Sequence, residues 1–304
     1  MTEFRRVTLS TGVTLNVAID GPPEAPSVVL LHGFPESHRT WRGIAPRLSN
    51  RFRLIMPDQR GYAGSDRPQD VVAYKTTTLV DDVFALADAL SLERFALVGH
   101  DWGGAVAWAA ARRRDRRLER LAIVNSPHPF IFQKSLVENP DQRSASQYIN
   151  AFRAPWIEAY IRKKGWEWFF EKTFGGHMDL ALIPPSEKQQ YIADWSQPGA
   201  LTAMLNWYRA SPLVVPPPGI SLPIPDAVLR LSKRIRVPTL VVWGMQDRAL
   251  LPIQLQGLDA VVEDLRISRI AAAGHFAPWE APDEVAAALA PFLAGEAVAT
   301  APRQ

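Results

Sequence analysis

An aspartate stands at the centre of the pentad GHDWG, residues 99–103. The apolar run FALVGH leads into this pentad and the helix-forming run AVAWAAARR follows it, so it joins a predicted strand to a predicted helix. Small residues two positions either side of a central residue are typical of a nucleophile elbow, a sharp turn that exposes the central side chain. Asp101 is therefore a candidate nucleophile. Taken alone, the pentad leaves open the alternative that Asp101 only caps the helix.

Two further residues follow other predicted strands and could form a catalytic triad with Asp101. Asp247 ends the segment WGMQD after one apolar run, and His275 lies in AGHF after the last one. A histidine in such a loop, downstream of an elbow, is a candidate general base. A carboxylate beside it would hold its tautomer and stabilise the imidazolium. The chain order is nucleophile, acid, base, and no other aspartate–histidine pair in the sequence fits it as well.

A third loop could supply an oxyanion hole. The segment HGFP, residues 32–35, comes directly after the apolar run SVVLL. In open α/β sheets, ligands bind beyond the carboxyl ends of the strands, where backbone N–H groups of such a loop can face a developing oxyanion. The N–H groups of Phe34 and of Trp102, the residue after the candidate nucleophile, are the candidates. His32 is interpreted as the residue that ties this loop down.

The elements that must position these residues fall into three parts. Up to residue 125, β-branched apolar runs alternate with helical stretches, which predicts a mostly parallel sheet covered by helices on both faces. Residues 126–226 are rich in aromatic side chains and end in the proline-rich segment PLVVPPPGISLPIPD, so they are interpreted as a helical insertion with a return linker. The first pattern resumes over 227–295, and 296–304 are expected to form a flexible tail. The individual predictions are a hairpin turning at residues 11–12, strands at 27–33, 53–58, 95–100, 118–125, 237–244 and 265–270, and helices at 79–90 and 282–293.

Composition narrows the class of protein. The 304 residues are 47% hydrophobic and 21% charged, which excludes a disordered tail or a fibrous repeat. There is no cysteine, so disulfides, thiolate–metal sites and cysteine nucleophiles are excluded, and the histidines and acids show no metal-ligand spacing. We expect a cytoplasmic protein without a membrane span, because no apolar run is long enough and the first residues lack the apolar core of a signal peptide.

Charge gives little sign of a polyanionic partner. The net charge is +3, and most of the basic bias lies in RRRDRRLER, residues 112–120. A nucleic-acid surface is the less favoured interpretation, since one short basic run cannot contact many phosphates along a nucleic-acid backbone. We interpret the run as the solvated end of a helix, where cations complement the helix dipole. No nucleic-acid partner is expected.

Four segments together resemble one known family. HGFPES, DQRGYAGSDRP, VGHDWGGAVAW and NSPHP are similar to motifs of α/β-hydrolases, in the branch of the epoxide hydrolases and haloalkane dehalogenases, and the resemblance extends over essentially the whole chain. It implies an α/β-hydrolase fold with a mostly parallel central sheet flanked by helices and a helical cap inserted after the sixth strand. The core would comprise residues 1–125 and 227–295 and the cap residues 126–226. The family pattern gives Asp101, Asp247 and His275 the triad roles and the amides of Phe34 and Trp102 the oxyanion hole.

An aspartate nucleophile restricts the substrate. A carboxylate that attacks a carbonyl would give a high-energy anhydride, whereas attack on an sp³ carbon gives a stable alkyl ester that water activated by His275 can hydrolyse. An epoxide also needs a proton for its leaving alkoxide, which a tyrosine can provide. Tyr148 and Tyr208, each in a matching local sequence, resemble the two cap tyrosines of epoxide hydrolases. We therefore predict a cofactor-independent epoxide hydrolase acting on a small hydrophobic epoxide and water, as a monomer or homodimer. The residues His32, Pro35, His100 and Phe276 are expected to line its substrate pocket.

Two alternatives stay open. A haloalkane or haloacid dehalogenase would use the same triad, although Phe34 stands where many haloalkane dehalogenases have a halide-binding asparagine. Fluoroacetate-type enzymes carry arginines just after the nucleophile, where this chain has WGGA, so a small anionic substrate is disfavoured. The same fold can also serve as a ligand receptor without catalysis, but all three triad residues are present.

Overall fold

The computed structural model describes residues 2–220, 222–224 and 226–296. Within these residues, eight strands form one sheet in the order β1-β2-β4-β3-β5-β6-β7-β8. The strands are β1 Glu3–Thr8, β2 Thr14–Asp20, β3 Ser27–Leu31, β4 Arg53–Pro57, β5 Phe95–His100, β6 Leu118–Val124, β7 Thr239–Gly244 and β8 Leu265–Ile270. The hairpin β1–β2 and its junction with β4 are antiparallel, and every other pairing is parallel. The predicted α/β-hydrolase fold, with its mostly parallel sheet, is confirmed.

Helices flank this sheet and form the insertion. The α-helices of the described residues that belong to the sheet layers are α1 Ala45–Leu48, α2 Thr76–Ala89 and α3 Asp101–Ala111, and later α12 Leu258–Val261, α13 Ala277–Glu280 and α14 Pro282–Leu293. Those between β6 and β7 are α4 Pro129–Glu138, α5 Pro140–Ala145, α6 Gln147–Arg153, α7 Ile157–Lys164, α8 Trp166–Thr173, α9 Pro185–Ser196, α10 Ala200–Ala210 and α11 Asp226–Leu229. Short 3-10 helices lie at His38–Trp41, Val71–Tyr74, Leu180–Leu182, Arg230–Ser232 and Pro252–Leu255.

The central strands are buried on both faces because alternate side chains enter two separate hydrophobic clusters. Leu97 of β5 belongs to the cluster that also contains the apolar residues of α2, α3 and the inserted helices. Its neighbour Val98 belongs to the cluster beneath α1 and α14. Every residue of β5 and β7 is buried, which accounts for their unbroken apolar sequences.

The carboxyl ends of four parallel strands meet at one edge of the sheet and carry the candidate residues. β3 leads into the HGFP loop, β5 into Asp101, β7 into Asp247 and β8 into His275. Parallel pairing fixes this arrangement, because residues that follow neighbouring strands must emerge side by side.

A few predicted boundaries differ from the structure. The helix predicted at 79–90 begins earlier, at Thr76, since polar Thr76–Thr78 form its first turn. The basic run 112–120 is not all helix end: α3 stops at Ala111 and Leu118 already begins β6. Of the predicted tail, residues 297–304 lie outside the described residues. Among the helices that the structure describes, none combines the length and apolarity that crossing a bilayer requires.

Candidate active site

Asp101 stands in a strained turn between β5 and α3. Its φ is +48°, in the left-handed region that a residue with a side chain rarely adopts. The turn is possible because Gly99 and Gly103 face each other: a Cβ on Gly99 would overlap the main chain of Gly103. The Ser126 hydroxyl donates a hydrogen bond of 2.6 Å to the Asp101 carbonyl oxygen and ties the turn to the end of β6. The turn thus places the Asp101 carboxylate beyond the carboxyl end of β5, where it is exposed to the other loops of this sheet edge.

The two carboxylate oxygens of Asp101 have different neighbours. Oδ1 accepts a hydrogen bond of 2.8 Å from the backbone N–H of Phe34. Oδ2 lies 3.6 Å from Nε2 of His275. One oxygen is therefore held by an amide of the HGFP loop, and the other faces the imidazole. The companion role of the Trp102 amide stays a prediction.

His275 is fixed by Asp247. Nδ1 of His275 donates a hydrogen bond of 2.9 Å to Oδ2 of the buried Asp247 carboxylate, which leaves Nε2 facing Asp101. Oδ1 of Asp247 accepts from the backbone N–H groups of Ala249 and Leu250, at 2.9 and 2.8 Å. These bonds hold the acid in one orientation, and the acid holds the imidazole tautomer.

Asn125 also holds Asp247, and the sequence reasoning missed it. Its amide nitrogen donates a hydrogen bond of 2.9 Å to Oδ2 of Asp247, and its amide oxygen accepts one of 2.9 Å from the N–H of Gly244. Asn125 follows β6 at the same sheet edge and has a φ of +42°. A polar residue directly after a buried strand could have indicated Asn125 as a site residue. A single asparagine at a strand end is also common in ordinary turns, so this pattern alone was not specific.

The electrostatics of the triad favour a protonated His275 while Asp101 is ionised. Burial acts to lower the pKa of His275, but the charge and hydrogen bond of Asp247 and the charge of Asp101 outweigh it and raise the pKa to about 9. Burial likewise disfavours the Asp247 carboxylate, yet the charge and hydrogen bond of His275 keep its pKa below the usual value. Before any reaction, the site therefore holds an imidazolium between two carboxylates.

A cavity of about 400 Å³ lies against Asp101. Tyr148 on α6 and Tyr208 on α10 line it together with Trp102, so the structure brings both predicted tyrosines to the candidate nucleophile. Their rings are 6.2 Å apart, and the Tyr208 ring packs edge-on against Trp102 at 5.1 Å and against Phe34 at 5.0 Å. Burial, reinforced by the charge of Asp101, raises the pKa of both phenols, so both hydroxyls are protonated and available as donors.

The four residues predicted to line the substrate pocket lie elsewhere. His32, Pro35, His100 and Phe276 are buried, and none of them is among the described residues that line the cavity. They follow strands at the same edge of the sheet as the candidate residues. Their side chains or carbonyl groups make contacts that hold the loops at this edge in place. None of these four described residues lines this cavity, because closeness in sequence to a site residue does not determine which way a side chain points, and their contact with substrate stays a prediction.

The histidines in particular make structural contacts. Nε2 of His32 accepts a hydrogen bond of 3.0 Å from the N–H of Gln59, so its Nδ1 carries the proton and donates to the Gly33 carbonyl oxygen at 2.8 Å. His32 thus ties down the HGFP loop, as expected. Nε2 of His100 lies 2.8 Å from the carbonyl oxygen of His275, and its Nδ1 lies 3.1 Å from the buried carboxylate of Glu36.

The comparisons with known proteins agree with this geometry. Residues 26–282 match a family model described as alpha/beta hydrolase fold. AB hydrolase superfamily protein YfhM of Bacillus subtilis is 39% identical over 243 residues, covering 79% of this chain and 80% of that protein. Epoxide hydrolase A of Mycobacterium tuberculosis is 30% identical over 323 residues, covering 95% of this chain and 97% of that protein.

A solved structure extends the likeness to three dimensions. It is described as one of the novel epoxide hydrolases of the alpha/beta hydrolases superfamily in metagenomes from hot environments, with a TM-score of 0.89 and 45% identity over 97% of this chain and 100% of that one. The chain belongs to the α/β-hydrolase superfamily and, within it, to the epoxide hydrolase family. The resemblance noted in the sequence is confirmed.

Proposed function

We propose that this protein is an epoxide hydrolase that converts an uncharged, hydrophobic epoxide to a vicinal diol through an ester of Asp101. The observation that carries the proposal is the different surroundings of the two Asp101 carboxylate oxygens. Oδ1 accepts a hydrogen bond from the Phe34 amide, Oδ2 faces His275, and Tyr148 and Tyr208 line the same cavity as Asp101. The names of the relatives at 30% and 45% identity support the same activity.

In the first step, Oδ2 of Asp101 attacks one epoxide carbon while the ring C–O bond breaks. The electron pair of that bond goes to the epoxide oxygen, which takes a proton from the hydroxyl of Tyr148 or Tyr208. Two donors facing one oxygen stabilise the developing alkoxide and orient the ring. The apolar cavity lined by residues such as Phe132, Leu213 and Leu250 suits an uncharged substrate.

In the second step, water hydrolyses the ester. The His275 imidazolium first returns a proton to the tyrosinate left by the first step. Neutral Nε2 of His275 then removes a proton from a water molecule, whose oxygen attacks Cγ of Asp101. The carbonyl oxygen is then Oδ1, already on the Phe34 amide, so the oxyanion of the tetrahedral intermediate forms where a donor stands. Collapse of that intermediate releases the diol and returns the Asp101 carboxylate, and the proton taken from water leaves His275 as the imidazolium with which the cycle began.

Loss of one charge couples the two steps. The Asp101 carboxylate contributes to the raised pKa of His275 and of both tyrosines. Ester formation removes that charge, so the pKa of each of these groups falls. The phenols become better acids as the alkoxide appears, and His275 loses part of what favours its protonated form before it must act as a base.

The test is to stop the reaction at the ester. His275→Gln removes the general base and leaves Asp101 and the tyrosines in place, so incubation with a small aromatic epoxide should leave a covalent adduct. Intact-mass spectrometry should show a gain equal to the whole epoxide, and peptide mapping should place it on Asp101.

Two controls make the result decisive. The double variant His275→Gln with Asp101→Ala should gain no mass, which separates the ester from adventitious alkylation. A parallel incubation with an alkyl halide tests carbon–halogen cleavage: a gain of the alkyl group there, with no adduct from several epoxides of different shape, would contradict the proposal.

A further inference from the structure

The basic run that ends α3 is part of a larger cationic surface. A shallow cavity of about 580 Å³ on the outside of the molecule brings this run together with the loop that leads into β7. Five cationic side chains line it, and we call them the basic patch: Arg112, Arg114, Lys233, Arg234 and Arg236. They come from two segments more than a hundred residues apart, so the sequence alone does not show the patch.

The carboxylates near the basic patch do not neutralise its positive charge. Only Asp115 and Glu119 among the described residues contribute negative charge to its lining. Asp115 is paired with Arg117 at 2.9 Å, and Glu119 with Arg94 at 2.6 Å, so both are engaged by cations outside the patch. Arg236 has a long contact with Glu263, 3.6 Å, and its side chain is 65% exposed.

The patch adjoins the outer end of the active-site cavity. Arg112 lines both cavities, and its guanidinium donates hydrogen bonds to the carbonyl oxygens of Arg230 and Leu231, at 2.9 and 2.8 Å. Leu231 lines the active-site cavity, as do the solvent-exposed Thr77 and Arg113. The route from solvent to Asp101 therefore begins beside the patch.

Exposed apolar side chains occur at the same place. Leu229, which ends α11 next to the carbonyl held by Arg112, is 48% exposed, while its neighbour Val228 is buried and lines the active-site cavity. Ile220 and Leu222, in the same connection between α10 and β7, are 48% and 37% exposed. Cations with apolar side chains beside them are the combination by which proteins bind the surface of an anionic bilayer.

We propose that the basic patch and Leu229 form a docking surface for an anionic lipid bilayer. The cations contact the lipid headgroups and Leu229 enters the boundary of the acyl chains. Docking brings the mouth of the active-site cavity to the bilayer, where hydrophobic molecules concentrate. Nucleic acid fits less well, because it gains nothing from exposed leucine and isoleucine, and the patch is a compact cluster rather than a track for phosphates.

The use of docking for substrate capture rests on the proposed function, but docking itself does not, so binding is measured without turnover. The full chain is mixed with sucrose-loaded vesicles of phosphatidylcholine, or of phosphatidylcholine with phosphatidylserine, and sedimented. The protein should sediment with the anionic vesicles only, and added salt should release it. No sedimentation with anionic vesicles at low salt would overturn the proposal.

Two triple variants test the surface. Arg114→Gln with Lys233→Gln and Arg236→Gln should lower the partition coefficient on the order of a hundredfold, since each basic residue near an anionic surface contributes a factor of about five. The matched control changes the net charge equally in the exposed run at the end of α7, with Arg162, Lys163 and Lys164 each replaced by Gln. It should bind nearly as the unmodified protein does, and an equal loss in both variants would mean diffuse attraction and no docking surface.

The apolar part is tested separately. Leu229→Gln should weaken vesicle binding several-fold and make it more sensitive to salt, while thermal unfolding shows that the fold is intact. Binding of a fluorescent DNA duplex is measured in parallel. Strong DNA binding that the patch variant abolishes, together with vesicle binding that Leu229→Gln does not alter, would identify the patch as a nucleic-acid surface and contradict the proposal.

Discussion

The sheet edge and the cap, the helices inserted between β6 and β7, hold their parts of the proposed active site in different ways. At the sheet edge, Asp101, Asp247 and His275 are charged, and hydrogen bonds to backbone and side-chain groups fix the acid and its histidine. In the cap, Tyr148 and Tyr208 are neutral, and their rings pack against each other. Both rings also pack against Phe152, with ring centroids 5.9 Å apart for Tyr148 and 5.0 Å apart for Tyr208. The contrast follows from the chemistry: buried charges require several hydrogen-bond or charged partners, whereas a neutral phenol is placed by packing of its ring and requires a partner for its hydroxyl alone.

The two regions nevertheless share one electrostatic element, the charge on Asp101. That charge raises the pKa of the imidazole at the sheet edge and of both phenols in the cap, so the proposed ester of Asp101 would lower all three pKa values together. Substitutions on either side should therefore separate effects of charge from effects of shape.

The largest effect is expected from Asp101→Ala. Turnover should fall on the order of 10⁴-fold or more, as with other members of a catalytic triad. Removal of the carboxylate also removes a charge that favours protonation, so the pKa of His275 should fall below its value of about 9. Steady-state diol formation and an NMR titration of the His275 ring measure the two effects.

Asp283→Ala is the control for net charge. Its carboxylate is 80% exposed and is paired with Arg47 on the outer surface, so neither turnover nor the His275 titration should change. A variant lacking Asp101 that kept its activity would exclude the ester mechanism, and an unchanged pKa would remove the coupling between the two regions.

The tyrosine substitutions should have intermediate effects. Tyr148→Phe or Tyr208→Phe leaves one donor, so each should slow ester formation roughly ten- to a hundredfold, and the double variant should approach the 10²–10⁴-fold range of general acid catalysis. Rapid-quench measurement of the ester in single turnovers checks this. Hydrolysis of an ester already formed should be much less affected.

Tyr191→Phe is a matched control within the cap. Tyr191 on α9 is fully buried, and its hydroxyl has no hydrogen-bond partner among the described residues. It does not line the described cavity, so its loss should leave ester formation within about threefold of the original rate. Equal effects at all three positions would show that the cap acts through packing and not through proton donation.

How far the site could be predicted follows from the same contrast. Asp101, Asp247 and His275 could be predicted as candidates because each lies in the segment that follows a parallel strand, and pairing brings those strand ends to one edge of the sheet. The cap tyrosines could be predicted as candidates only through resemblance, since helix packing has no such rule of register. The direction of side chains in the loops could not be predicted: His100 precedes Asp101 in sequence but lies behind the triad, against Glu36.

The smallest effect concerns His128, in the loop between β6 and the cap, where both regions meet. Its side chain is fully buried, its ring packs edge-on against Trp108 at 5.1 Å, and neither ring nitrogen has a hydrogen-bond partner among the described residues. Burial, with a smaller contribution from the charge of Arg112, lowers its pKa to about 3. His128 is therefore neutral in the folded protein at any pH well above 3.

His128→Phe should make the fold less sensitive to acid. In the unfolded chain a histidine takes up a proton below a pH of about 6.5, whereas folded His128 does so only near 3, so between these values each pH unit lowers the stability of the unmodified protein by about 1.4 kcal/mol. Phenylalanine keeps the packing on Trp108 without that cost. Urea unfolding at pH 7 should show little difference, and at pH 5 the variant should be more stable by about 2 kcal/mol. A difference that does not grow as the pH falls would mean that the His128 ring is protonated, and paired, in the native state.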